Sequence, residues 1–239
     1  MNIAVIFAGG TGQRMNTQTK PKQFLDLHGK PILIYTIEVF DSHPDIDKII
    51  IVCLEKWIET CEKLIKSFGI KKVVSVIPGG ETGFLSRYNG ICKAHELYNE
   101  STVVLMHDGV RPLIDHDIIS RNIESVRQYG SAVTVSPAIE TIAIRGEGNQ
   151  IGEIIDRSKC EHAKAPQSFL LGDLYAVHQK AVEEGMIDCI DTAYLMQLYG
   201  HRIYSVEGSS DNIKITTPKD YYTFKAILDA RENSQIFGL

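Results

Sequence analysis

Gly9, Gly10 and Gly12 stand just ahead of Arg14, Lys20 and Lys22 in one short stretch near the N-terminus. Glycines let a backbone turn sharply and approach a ligand closely, and successive loop N–H groups can cradle phosphate oxygens. Arg14, Lys20 and Lys22 supply positive charge beside the same loop, and Pro21 stiffens it between the two lysines. The apolar run Ile3 to Ala8 immediately before the glycines predicts a buried strand. A strand, a glycine turn and three cations meet the needs of a nucleoside triphosphate site. Two familiar phosphate motifs are missing. The chain has no G-x-x-x-x-G-K-[ST], and Gly10-Thr11-Gly12 lacks the third glycine of G-x-G-x-x-G because position 15 is Met15. The second absence argues against a nicotinamide-dependent dehydrogenase.

Three further clusters carry chemistry. Pro78-Gly79-Gly80-Glu81-Thr82-Gly83 forms a second glycine-rich loop, followed by Ser86. His107-Asp108-Gly109-Val110-Arg111-Pro112 follows a predicted strand over 102–106. Ligands of open α/β sheets bind beyond the carboxyl ends of strands, so an acid there is a candidate. Asp108 is suited to hold Mg²⁺ as a hard oxygen ligand, and the Arg111 guanidinium is suited to a phosphate; an ordinary Asp–Arg surface pair is the structural alternative. The third cluster, around Asp211-Asn212-Ile213-Lys214, adds Asp211 as a second candidate metal ligand, Asn212 as a turn residue and Lys214 as a cation for a transition state.

The elements that must position these groups alternate. Helical spacing predicts a helix over 31–40, with Leu33, Ile37 and Phe40 on one face. Strands are predicted over 49–54, 72–77, 102–106 and 132–135. Helices are predicted over 57–68, 87–97, 118–129, 174–184, 188–200 and 218–231. Gly69 and Gly130 close two of these helices. Strand, helix, strand, helix implies a mostly parallel sheet covered on both faces. Residues 137–157 alternate apolar and polar side chains around Gly146, Gly148 and Asn149, which reads as a hairpin.

With 239 residues, 44% hydrophobic and 23% charged, the chain has the composition of an ordinary globular protein. A net charge of −5 carries no basic footprint for nucleic acid, and no apolar run is long enough for a membrane span. No basic segment precedes the first strand, so no secretory signal is expected. Cys53, Cys61, Cys92, Cys160 and Cys189 are scattered and odd in number. They suggest neither a disulfide framework nor a zinc site, and a cytoplasmic location is expected. The histidines show no metal-ligand spacing, and His107 is expected to orient the loop beside Asp108.

A-G-G-x-G-x-R-M followed by P-K-Q-F-L resembles the signature of the sugar-phosphate nucleotidyltransferases. Its Pro-Lys-Gln form is similar to the cytidylyltransferase branch, which holds 2-C-methyl-D-erythritol 4-phosphate cytidylyltransferase and the ribitol-5-phosphate cytidylyltransferases of cell-wall and capsule synthesis. H-D-x-x-R-P, N-I-K-I-T and A-P-Q-S-F extend the resemblance over nearly the whole chain. It implies a Rossmann-like three-layer α/β sandwich, a single nucleotidyltransferase domain over 1–239, and a protruding β-arm at about 137–160 that dimerises. CTP would be the nucleotide, with Mg²⁺ as cofactor. The nucleotide site would comprise Ala8, Gly9, Gly10, Thr11, Gly12, Gly80, Glu81, Ser86 and Asp108. Arg14, Lys22 and Lys214 would be catalytic, Asp108 and Asp211 the metal ligands, and Arg111 a substrate-binding residue. Thr141 and Arg157 would reach the neighbouring subunit's site, making the active unit a homodimer.

One departure concerns Gly83, where the family usually carries Arg; Arg87 lies just beyond. Ala165 stands where the family's T-P-Q-x-F turn has Thr, and that segment reads as structural. The implied reaction joins CTP and a polyol phosphate into a CDP-polyol with release of pyrophosphate. Ribitol 5-phosphate or a related envelope precursor is the first acceptor, and methylerythritol phosphate the second. A nucleotide-binding regulator without catalysis is the reading from another class.

Overall fold

A computed structural model gives the architecture; it describes residues 1–10 and 20–237. The elements in chain order are β1 (Asn2–Ala8), β2 (Asp26–Leu27), β3 (Lys30–Pro31), α1 (Ile32–Ser42), β4 (Lys48–Cys53), α2 (Ile58–Ser67), β5 (Val73–Pro78), α3 (Gly83–Leu97) and β6 (Val103–Asp108). There follow α4 (His116–Tyr129), β7 (Ser131–Pro137), β8 (Ile142–Arg145), β9 (Ile151–Ile155), β10 (Glu161–Leu170), α5 (Leu171–Glu183), α6 (Thr192–Leu198), β11 (Ser205–Glu207) and α7 (Pro218–Phe237). Seven strands form the main sheet in the order β11-β7-β10-β6-β1-β4-β5. β10 pairs antiparallel with both β6 and β7, and the remaining pairings are parallel. This is the expected Rossmann-like α/β fold with helices on both sides.

The period of two along the central strands sorts the core into two layers. Ala4, Ile6, Ile49, Ile51 and Leu105 face α1, α2 and α4 on one side of the sheet. Ile3, Val5, Ile50, Val52 and Val104 face α3, α5 and α6 on the other. A third cluster packs Phe224 of α7 with Leu27, Ile32, Val110 and Ile215. It fastens the C-terminal helix to the β2–β3 hairpin, which turns through His28 and Gly29 at positive φ. Among the described residues no helix is long and apolar enough to cross a membrane.

Three differences from the sequence expectation bear on the two cavities of the candidate active site. α3 starts at Gly83, ahead of the expected 87, because the Thr82 hydroxyl caps it by accepting from Leu85 N at 3.1 Å. α6 is confined to Thr192–Leu198, capped by Asp191, which accepts from Tyr194 N at 2.8 Å. The segment Ala165 to Phe169 is part of the buried strand β10 and not a turn. Pro166 is tolerated there because the β10–β7 register is interrupted between Ala163 and Gln167, where no ladder donor is needed.

α3 lies close on the sheet at Gly90, where a Cβ would sit 2.7 Å from Val5 Cγ1 and 2.9 Å from Val52 Cγ2. Gly90→Val is therefore expected to lift α3 from the sheet and cost about 1–3 kcal/mol. Urea unfolding would read this as a lower midpoint, and an unchanged midpoint would refute the close packing.

Candidate active site

The first glycine loop leaves the carboxyl end of β1 and is pinned by the residue that follows Lys22. Gln23 Nε2 donates to Ala8 O at 2.6 Å and to Gly10 O at 3.2 Å. Lys22 is buried beside this loop in a one-turn 3₁₀ helix whose Phe24 stacks on Trp57 at 4.8 Å. The second glycine loop is held by Ser86, whose Oγ accepts from Gly80 N at 3.1 Å. Gly80 can have no side chain there, since a Cβ would fall 2.4 Å from Leu85 Cβ. The two loops and the N-terminus of α3 enclose a cavity of about 370 Å³, lined also by Lys22, Glu81, Arg87, Asp108 and Lys214. Free backbone N–H groups at a helix N-terminus favour an anion.

Asp108 ends β6 at the mouth of this cavity. Its Oδ1 accepts from Lys214 Nζ at 2.7 Å and its Oδ2 from Arg111 Nε at 2.8 Å. Burial pushes the carboxyl pKa up, but the Lys214 and Arg111 charges and their hydrogen bonds reverse this and hold it well below the usual carboxylate range. Arg111 Nη1 donates to Asn212 O at 2.9 Å, and Asn212 Nδ2 donates to Ala165 O at 2.8 Å. The Asn212 side chain thus ties its segment to β10. His107 is buried, and Nε2 donates to Arg111 O at 3.2 Å. Burial lowers its pKa to about 4, so it is a neutral brace for this turn.

A second cavity of about 240 Å³ lies on the other side of Asp108 and shares Phe7, Arg87, Asp108 and Lys214 with the first. Arg111, Lys164, Gln167, Asp191 and Thr192 also line it. Lys164 Nζ donates to Ser210 O at 2.9 Å, and burial lowers its pKa. Gln167 donates to Asp191 Oδ2 at 3.2 Å and accepts from Ala193 N at 2.9 Å. One side of this cavity is therefore cationic and the other offers a carboxylate and an amide.

The structure brings together Ala8, Gly9, Gly10, Lys22, Gly80, Glu81, Ser86, Asp108 and Lys214 in the first cavity, and Asp108, Arg111 and Lys214 in the second. Thr11, Gly12 and Arg14 lie outside the described residues. Asp211 does not join Asp108: it lines neither cavity, and its carboxylate lies 3.7 Å from Arg231. No group of three or more His, Cys, Asp or Glu among the described residues could hold a metal ion. Thr141 and Arg157 belong to the arm that contains the β8–β9 hairpin and line neither cavity; Arg157 Nη1 donates to Ile139 O at 2.6 Å. Sequence reasoning missed Gln23, Lys164, Gln167 and Asp191. Gln23 carried a usable signal, its fixed place after Pro21-Lys22, whereas the other three depend on where β10 and α6 land.

The family described as IspD: 2-C-methyl-D-erythritol 4-phosphate cytidylyltransferase matches residues 2–230. This chain belongs to the IspD family of cytidylyltransferases. It is 51% identical over 238 residues to the ribitol-5-phosphate cytidylyltransferase of Vibrio parahaemolyticus, covering 100% of both chains. Its identity to the enzyme of that name from Streptococcus agalactiae is 48% over 239 residues, again with 100% of both chains covered. The 2-C-methyl-D-erythritol 4-phosphate cytidylyltransferase of Clostridium acetobutylicum is more distant, 37% identical over 95% of this chain and 97% of its own. Among solved structures, the 4-diphosphocytidyl-2C-methyl-D-erythritol synthase of Anaerococcus prevotii shares the fold with a TM-score of 0.82, at 23% identity, over 95% of this chain and 96% of that one.

Lys214→Met removes one of the two cations on Asp108. A carboxylate whose pKa is depressed by folding stabilises the fold above its unfolded value, 3.8, and loses that contribution as pH falls through the folded value. In Lys214→Met the folded value rises, so the loss begins at higher pH. Carboxyl ¹³C titration of Asp108 is expected to show an upward midpoint shift, and no shift would show that Lys214 does not act on it.

Proposed function

We propose that the chain transfers a cytidylyl group from CTP to ribitol 5-phosphate, releasing pyrophosphate. The observation that carries this reading is the meeting of a glycine-walled cavity and a cationic, hydroxyl-accepting cavity at Asp108 and Lys214. Relatives named for ribitol 5-phosphate at 48–51% identity support that acceptor over the methylerythritol phosphate named for relatives at 35–37%. The triphosphate occupies the first cavity, with the base and ribose against Gly80, Glu81 and Ser86. Backbone carbonyl and N–H groups of a fixed loop can tell the amine and ring nitrogen of cytosine from those of uracil. The polyol lies in the second cavity, its phosphate toward Arg111 and its hydroxyls toward Asp191 and Gln167.

A phosphate oxygen of the acceptor attacks the α-phosphorus of CTP in line. The new phosphorus–oxygen bond forms as the bond to the bridging oxygen of the leaving pyrophosphate breaks. The nucleophile is already ionised at neutral pH, so no general base is needed. The barrier is the approach of two anions, and catalysis rests on positioning and charge. Arg14, Lys22 and Lys214 neutralise the α-phosphate and the pyrophosphate. Both oxygens of Asp108 are already engaged, and among the described residues no acidic cluster stands by. Mg²⁺ therefore fits here only with triphosphate oxygens as its main ligands and Asp108 as the protein carboxylate, where it would withdraw charge from the phosphates.

The domain spans 1–239 and works as a cytoplasmic homodimer in this reading. Ile144, Ile151 and Ile154 of the arm are exposed apolar residues, which suits an interface with a second copy. Thr141 and Arg157 would then be supplied to the partner's site.

Pyrophosphate release with Mg²⁺ and CTP is expected with ribitol 5-phosphate and not with 2-C-methyl-D-erythritol 4-phosphate. The reverse preference would transfer the chain to isoprenoid synthesis, and release with neither would sink the catalytic reading. Lys214→Ala is expected to lower turnover by about 10²–10³.

A further inference from the structure

Arg87 sits on α3 and lines both cavities, at the place where the two substrates must meet. The other cations of the second cavity are held by protein acceptors. Lys214 and Arg111 share Asp108, Arg111 also reaches Asn212 O, and Lys164 reaches Ser209 O and Ser210 O. Arg87 differs from them. Among the described residues its hydrogen bond runs from Nη2 to Cys189 O, at 2.7 Å, and its buried Nε has no partner. A guanidinium carries five N–H donors, and a buried charged donor left unmatched is costly. Gly83, one turn earlier on the same face of α3, leaves an opening beside the guanidinium: a Cβ there would lie 3.6 Å from Nη1. Nη2 is thus fixed by a carbonyl, Nη1 has no hydrogen-bond partner among the described residues, and the residue lines both cavities.

We propose that Arg87 binds the acceptor's phosphate at the junction of the two cavities. Its fork suits a phosphate held by two donors. There it offsets the repulsion between the acceptor dianion and the triphosphate, contacting oxygens other than the one that attacks. Through Cys189 O it also ties α3 to the segment that brings Ile190, Asp191 and Thr192 into the acceptor cavity. The identity of the acceptor rests on the function proposed above, whereas the phosphate site does not.

The test compares the full-length parent with Arg87→Met and Arg87→Lys by calorimetry, using ribitol 5-phosphate, inorganic phosphate and CTP as separate probes. Charged hydrogen bonds of this kind are worth about tenfold to a hundredfold in affinity. Arg87→Met is expected to lose that much for both phosphates and distinctly less for CTP, with an unchanged urea-unfolding midpoint to certify its fold. Arg87→Lys keeps a cation but cannot span Cys189 O and a phosphate, and is expected to be weakened as well. In turnover, kcat/KM for the acceptor is expected to fall by about 10² in Arg87→Met. Parent-like phosphate binding in both variants, or an equal loss for CTP, would overturn the assignment. If the parent turns over no polyol phosphate but phosphate binding still depends on Arg87, the functional reading fails and the anion site stands.

Discussion

Asp108 is held between two cations that come from very different distances along the chain. Arg111 is three residues on, while Lys214 arrives from the far side of the sheet's last strand. A carboxylate at the end of a buried strand would be costly alone, and neither cation could be removed without leaving it under-compensated. Much of the site is arranged so that this meeting takes place. His107 and Asn212 fix the Arg111 turn, and the backbone bond from Ile215 N to Val110 O at 2.9 Å draws the Lys214 segment alongside it. Asp220 then accepts from Thr216 N and Thr217 N and starts α7.

α7 carries the constraint back to the first loop. Phe224 packs in one cluster with Leu27 and Ile215, and Tyr221 donates to Asp26 O at 2.6 Å. The segment that presents Lys22 and the segment that presents Lys214 are therefore supported by the same small core. Two lysines nearly the whole chain apart are set relative to each other by apolar packing, and the charge cluster at Asp108 fixes the last ångströms.

Local signals were the readable ones. The glycines after β1 and β5, the acid at the end of β6 and the helix-closing Gly69 and Gly130 each follow from their immediate neighbours. That the sheet is covered on both faces was readable from the order of strands and helices. What failed depends on long-range placement. Pro166 hid β10, because a proline in an apolar run argues against a central strand unless the ladder is known to be interrupted there. With β10 hidden, Lys164 and Gln167 had no strand to occupy, and Asp191 lay inside the helix expected over 188–200. The pairing of Asp211 with Arg231 could not be seen either, since it needs the position of α7.

The β8–β9 hairpin leaves the sheet and returns to it at adjacent points. Pro137 faces Glu161 across β7 and β10, and Ala138 N donates to Cys160 O at 3.1 Å. The excursion is thus closed at its base by the ladder itself. The entropy of closing a loop grows only slowly with its length, so residues can be gained or lost beyond that base at small cost to the sheet. Evolution can therefore vary the length of the hairpin through indels, while the strands that aim the residues of the two cavities keep their register.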